Sequence, residues 1–181
     1  TGPDGSVRSN WWNAKINQGY WNTPFQVAGP NAAAAGSRIA AVARMRDHID
    51  VFWIAPNGAI SSNWWNAGIN SGRWNAPFQV AGAGAASLTS GISALSRSAH
   101  NLEVYWAAPN GGISETWFDG KWNAMVTVAP AGSARADSEV AARARRQADG
   151  CQVVEMEAAA FFAVAQFRGV VFGQVVYGGD L

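Results

Sequence analysis

Along most of the chain, short runs of alternating apolar and polar residues are broken at regular intervals by Pro and Gly. Between residues 37 and 81 the pattern predicts four strands, at 37–44, 49–54, 59–66 and 74–81. Ile49, Val51 and Trp53 fall on one face and Asp50 and Phe52 on the other, the period of two that a strand imposes. Between the second and third strands stands Pro56-Asn57-Gly58, a hairpin turn in which Gly supplies the positive φ. Pro3-Asp4-Gly5 and Pro109-Asn110-Gly111 give the same signal elsewhere.

The whole pattern recurs. Segment 58–82, GAISSNWWNAGINSGRWNAPFQVAG, is preceded by 5–29, GSVRSNWWNAKINQGYWNTPFQVAG, and followed by a shortened copy at 111–130, GGISETWFDGKWNAMVTVAP. The starting glycines Gly5, Gly58 and Gly111 are offset by 53 residues. Segment 37–56, SRIAAVARMRDHIDVFWIAP, is echoed at 90–109 by SGISALSRSAHNLEVYWAAP. A fixed period with four short strands per unit is the signature of a radial or stacked repeat fold, and repeated four-stranded antiparallel units make propeller blades more readily than a sandwich. The expected fold is mainly β: about two and a half four-stranded blades over 1–132, an incomplete β-propeller, followed by a short α/β segment over 133–181. The chain opens at Thr1, inside a repeat and without Met, so a fragment or processed product is expected.

After Pro130 the composition changes. ADSEVAARARRQADG replaces the expected restart of a blade, with Asp137 or Ser138 a candidate helix N-cap and Gly150 a stop. Residues 153–156 read as a strand and 158–167 as a helix, with Ala158, Phe161, Phe162 and Ala165 at helical spacing. Residues 170–177 read as a buried strand. Strand, helix, strand implies a parallel pair with a crossover, a class unlike the blades.

Charge narrows the partners. The net charge is +1 and no Lys/Arg run exceeds two, so neither nucleic acid nor an anionic membrane is expected. No apolar run approaches a membrane span and no signal-peptide pattern opens the chain, which leaves the compartment open. The sole cysteine, Cys151, cannot form an internal disulfide and reads as a small buried hydrophobe. Neither His48 nor His100 has an evident partner set, and no metal or cofactor is expected.

The ten Trp all lie between Trp11 and Trp122. In each WW pair the two rings point to opposite faces of a strand. Trp11, Trp64 and Trp117 share a face with Val7, Ile60 and Ile113 and are expected to be buried between blades. Trp12 and Trp65 share a face with Asn10 and Asn63 and are followed by Asn13 and Asn66. An indole packs on the apolar face of a pyranose while an amide donates to and accepts from its hydroxyls. Trp12, Asn13, Trp65, Asn66 and Trp74 are therefore the candidate sugar-binding residues. The plainer alternative is that these indoles fill space between blades and the Asn ends the strand.

The run DHIDVFWIAPNGAISSNWW with WNAPFQVAG resembles the repeat of bacterial β-propeller lectins of the Photorhabdus type, over about residues 2–132. That resemblance implies carbohydrate sites between adjacent blades, for a fucose-like monosaccharide or a glycan. The third copy departs by lacking about five residues between Gly120 and Trp122. The tail, CQVVEMEAAAFFAVAQFRGVVFGQVVYGGDL, is similar to the C-terminal part of bacterial nucleoside phosphorylases. This second resemblance implies that Met156 and Glu157 hold ribose, that Glu155 lies beside the base, and that Asp180 is the catalytic acid protonating it.

Carbohydrate binding without catalysis is the favoured expectation, with nucleoside phosphorolysis the alternative and a fusion without a ligand the third. Homo-oligomers are expected through unpaired blade edges, because such edges recruit other chains. The upstream glycine and arginine elements that hold phosphate in phosphorylases have no counterpart in the chain, and positioning the nucleophile is much of that catalysis. Incubation with inosine, adenosine or uridine in phosphate buffer is therefore expected to release no free base. Release that Glu157→Ala abolishes would contradict this.

Overall fold

The computed structural model describes residues 1–134. The strands and helix expected in the tail, together with Cys151, Glu155, Met156, Glu157 and Asp180, lie outside the described residues. Within them, strands β1 (Val7–Ser9) and β2 (Phe25–Ala28) form a two-stranded sheet. A second sheet holds β3 (Ile39–Met45), β4 (His48–Ile54), β5 (Ile60–Asn66) and β6 (Phe78–Ala81) in sequence order. A third repeats it with β7 (Ile92–Ser98), β8 (Asn101–Ala107), β9 (Ile113–Phe118) and β10 (Val126–Ala129). All neighbours are antiparallel. The second and third sheets meet most closely through their first strands, β3 and β7, as blades do around an axis. The first sheet supplies only the two outer strands of a blade, so the fold is two and a half blades.

The turn glycines fix the register between units. Gly58 sits at φ +77°, and a Cβ there would come within 3.0 Å of the Ala86 carbonyl oxygen. The close approach has a purpose: Ala86 N–H donates to Gly58 O at 2.9 Å, clipping the β4–β5 turn to the loop after β6. Gly5 and Ala33 make the same contact one unit earlier.

Strand β4 is apolar on both faces because a sheet covers each. Val51 and Trp53 enter one core with Val7, Val27, Ala28 and Ala33 of the first unit. Phe52 and Ile54 enter another with Leu102, Val104 and Trp106 of the third sheet. At each interface one indole is sunk completely, and its N–H is satisfied by the preceding unit. Trp53 Nε1 donates to Ala32 O and Trp106 Nε1 to Ala85 O, both at 2.9 Å.

Two expectations are corrected. Trp11, Trp64 and Trp117 are not core: Trp11 is 44% exposed, and Trp64 and Trp117 are half-buried. Trp53 and Trp106 occupy the centres instead, packed in the cores between adjacent sheets with their N–H groups bonded to the preceding unit. Trp64 lies near the strand end and stacks on His48, ring centroids 5.4 Å apart. The fourth strand of the second sheet starts at Phe78, not Trp74. Pro77 has no N–H to give a ladder, and Asn75 bonds from both N and Nδ2 to Trp64 O at 3.1 Å.

Trp53→Ala or Trp106→Ala is expected to cost about 3–5 kcal/mol, against no more than about 0.5 kcal/mol for exposed Trp11→Ala. Urea unfolding of the three variants checks this ordering.

Candidate functional site

The strongest candidate site is a groove of about 780 Å³ between the first and second sheets. Its apolar wall is Trp65, Trp74, Ile49, Phe25 and Trp11, and its polar groups are Ser9, Asn10, Gln26 and Arg73. Trp65 and Trp74 are half-buried and Arg73 is exposed, so two aromatic rings stand beside an exposed guanidinium.

The loop after β5 builds this wall. Trp65 Nε1 donates to Gly72 O at 2.9 Å, which turns the indole N–H into the loop. Asn70 and Ser71 take left-handed φ values of 51° and 53°. Asn tolerates that region, and its Nδ2 holds Trp74 O at 2.9 Å. Phe25 of the first sheet backs Trp74, with centroids 6.4 Å apart. The first repeat copies the loop: Trp12 Nε1 donates to Gly19 O and Asn17 Nδ2 to Trp21 O.

Of the residues singled out from the sequence, the structure brings Trp65 and Trp74 together at the groove. Trp12 and Asn13 do not line it; Trp12 is 52% exposed. Asn66 ends β5, its Oδ1 accepting from Gly68 N at 2.8 Å in the turn that follows. Trp11 and Arg73 were not foreseen. Trp11 was assigned to the core by its pairing with Val7, and Arg73 carries no signal beyond standing beside Trp74.

The corresponding space between the second and third sheets is filled. Trp122, the counterpart of Trp74, packs against Phe52, Phe78 and Phe118 with centroids 5.9, 6.3 and 5.7 Å away. Arg44 covers the Phe118 ring at 5.0 Å. The first sheet has no counterpart of the strands carrying Phe52 and Arg44 among the described residues, and the groove opens there. A second groove, of about 540 Å³, runs beside Asn57 and Ser61. Its only indole, Trp53, is fully buried with its N–H spent on Ala32 O, which leaves it little to offer a ligand.

A buried polar cluster was also missed from the sequence, though His48 and Asp50 stand two apart on one strand face. Asp50 accepts from Arg44 Nε at 2.8 Å and Nη2 at 3.2 Å, and His48 Nε2 lies 3.0 Å away. Asn66 Nδ2 faces His48 Nδ1 at 3.4 Å. His48 Nε2 also lies 2.8 Å from Arg44 Nη2, so this ring nitrogen stands between the guanidinium and the carboxylate. His48 and Asp50 are buried and line none of these grooves, so the cluster is a structural tie. On the third sheet the matching positions fall on Arg97, Asn101 and Glu103, and Arg97 Nε donates to Asn101 Oδ1 at 3.2 Å. Tyr105 donates from its hydroxyl to Glu103 Oε2 at 3.0 Å. Burial and the Glu103 and Glu115 carboxylates push its hydroxyl well above the usual tyrosine range. Among the described residues no group of three or more His, Cys, Asp or Glu is placed to hold a metal ion.

No protein-family model matches the chain, and no curated protein matches it. Solved structures do. The BP39L lectin of Burkholderia pseudomallei is 23% identical with a TM-score of 0.63, over 72% of this chain and 36% of that one. The lectin of the fungus Aleuria aurantia, a six-bladed β-propeller with its own mode of fucose recognition, is 22% identical with a TM-score of 0.51, over 70% and 36%. A variant of the Aleuria aurantia lectin in complex with Fucα1-6GlcNAc gives 21% and 0.50, over 71% and 38%. The likeness establishes the fold, an incomplete β-propeller, and the chain spans little more than a third of the length of these lectins.

Removing the Asp50 carboxylate strands a largely buried guanidinium (Arg44 side chain 12% exposed). Asp50→Ala is therefore expected to cost about 3–5 kcal/mol, measured by chemical denaturation. A cost below about 1 kcal/mol, the level of a surface pair, would contradict the role given to the cluster.

Proposed function

We propose that the chain is a carbohydrate-binding, lectin-like propeller module that holds a monosaccharide in the groove between the first and second sheets, without catalysing a reaction. One observation carries this reading: Trp65 and Trp74 are half-buried at a groove whose polar groups are amides, a hydroxyl and a guanidinium. The indole faces suit the apolar C–H face of a pyranose. Asn10, Gln26 and Arg73 suit its hydroxyls, the amides as donor and acceptor and the guanidinium as donor. The groove is large enough for one sugar residue with room at the mouth for a second.

The likeness to propeller lectins, one of them seen with a fucosyl disaccharide, supports an L-fucoside as the first ligand to try. With one or two stacked rings and a few hydrogen bonds to groups that water also serves, affinity is expected to be about millimolar to tens of micromolar. Titration with α-methyl-L-fucoside should show saturable heat, and Trp65→Ala or Trp74→Ala should weaken it at least about tenfold, roughly 1.4 kcal/mol. Arg73→Ala should weaken it less, since its hydrogen bonds are replaced by water. Absence of binding to fucosides and to a broad glycan panel, or full binding by both Trp variants, would overturn the reading.

A further inference from the structure

The two sheet interfaces are copies of one contact. Every residue of the core between the first and second sheets has a repeat counterpart in the core between the second and third: Val7 with Ile60, Val27 with Val80, Val51 with Val104, Trp53 with Trp106. The contact has a receiving face and an inserting face. On the receiving face of the second sheet stand Arg44, Phe52 and Phe78. From the third sheet, Phe118 lies over Arg44 at 5.0 Å, and Trp122 lies against Phe52 and Phe78.

The third sheet carries the receiving half of this contact, and the first sheet carries the outer-strand part of the inserting half, without counterparts of Leu102, Val104 and Trp106. On the third sheet the receiving positions fall on Arg97, Tyr105 and Val126. The Arg97 side chain is 70% exposed, and Val126 and Val128 are 40% and 47% exposed. On the first sheet the inserting positions, the counterparts of Phe118 and Trp122, fall on Trp12 and Trp21. These lie in the loop joining β1 and β2 and are 52% and 65% exposed, unusual for two indoles in one short loop.

A polar contact matches as well. Asn63 of the second sheet reaches across to the first, its Nδ2 donating to Val27 O at 2.8 Å while its Oδ1 accepts from Trp64 N. Asn10 is held identically, its Oδ1 accepting from Trp11 N at 2.8 Å. The repeat counterpart of Val27 on the third sheet is Val128.

We propose that two copies of this chain join head to tail, the first sheet of one seating on the third sheet of the other. Trp12 of the incoming copy covers Arg97, Trp21 packs on Tyr105 and Val126, and Asn10 Nδ2 donates to Val128 O. The partner is a second copy because this chain carries at its two ends the outer-strand parts of a contact that it already makes within itself. The contact joins unlike surfaces, so each addition leaves a receiving and an inserting face free, and association either closes a ring or continues. It shares Asn10 with the saccharide groove, whereas Trp12, Trp21, Arg97, Tyr105 and Val126 do not line that groove.

Sedimentation velocity of the full chain across the micromolar range, at low and high salt, gives the first test. The mean mass should rise with concentration, and Trp12→Ala with Trp21→Ala should raise the dissociation constant at least about tenfold, the scale of losing one or two anchoring aromatics. Both residues are exposed, so unchanged near-ultraviolet dichroism outside the lost indole bands verifies folding. The second test is directional. In a Cys151→Ser background, Trp12→Cys and Arg97→Cys chains are mixed with a short bismaleimide. A linked pair should form in the mixture well above the level of either variant alone. A monomer at every concentration, as when residues 135–181 cover either face within the same chain, overturns the proposal. So does association that the double Trp variant leaves untouched, which would place it at a strand edge.

Discussion

A buried indole must find an acceptor for its N–H, or lose much of what its burial contributes. In this chain that requirement ties each sheet to the one before it. Trp53 and Trp106 lie at the centres of the two cores, and each donates to a carbonyl that only the preceding unit can present, Ala32 or Ala85. Those carbonyls are in place because the loops carrying them are clipped to glycine turns, Ala33 N to Gly5 O and Ala86 N to Gly58 O. Sheet, turn and loop are thus interdependent, and a single blade would leave its tryptophan N–H, and one apolar face, without cover.

The same repeat gives two different interfaces because the first sheet has only two strands. Between the second and third sheets, Phe52, Phe78, Phe118 and Trp122 fill the space and Arg44 closes it. Between the first and second, Trp65 and Trp74 occupy the positions of Phe118 and Trp122 but meet no Phe52 or Arg44 counterpart, and their rings stay half-open. Residues that are packing in one interface become a binding wall in the other. The identical SNWWN sequence shows the cause. At Asn63–Asn66 it is strand, because β4 pairs with it; after Ser9 the strand stops, with no such partner among the described residues.

The repeat, the hairpin turns and the four strands per unit were legible in the sequence, since an offset of 53 residues and Pro-Asn-Gly signals are local facts. Two of the five sugar-binding candidates, Trp65 and Trp74, meet at the groove; Trp12, Asn13 and Asn66 do not line it. The identity of the core tryptophans was not legible. A period of two separates the faces of a strand but cannot say that both are covered, as they are on β4, where Trp53 enters one core and Phe52 the other. The Arg44–His48–Asp50 tie was half-visible in the His48/Asp50 spacing, and its third member depends on the β3–β4 pairing. Arg73 was invisible, because a loop fold decides where its side chain ends.

The account assigns opposite roles to tryptophans of one sequence: Trp53 and Trp106 hold the fold, while Trp65 and Trp74 face the ligand. A ¹⁵N-indole spectrum recorded during addition of α-methyl-L-fucoside reads all of these N–H groups at once. The predicted result is progressive, saturable movement of the Trp65 and Trp74 signals, with those of Trp53 and Trp106 fixed and protected from exchange in deuterated water. Movement of Trp53 or Trp106 with Trp65 and Trp74 unmoved, or rapid exchange of the two buried indoles, would contradict it.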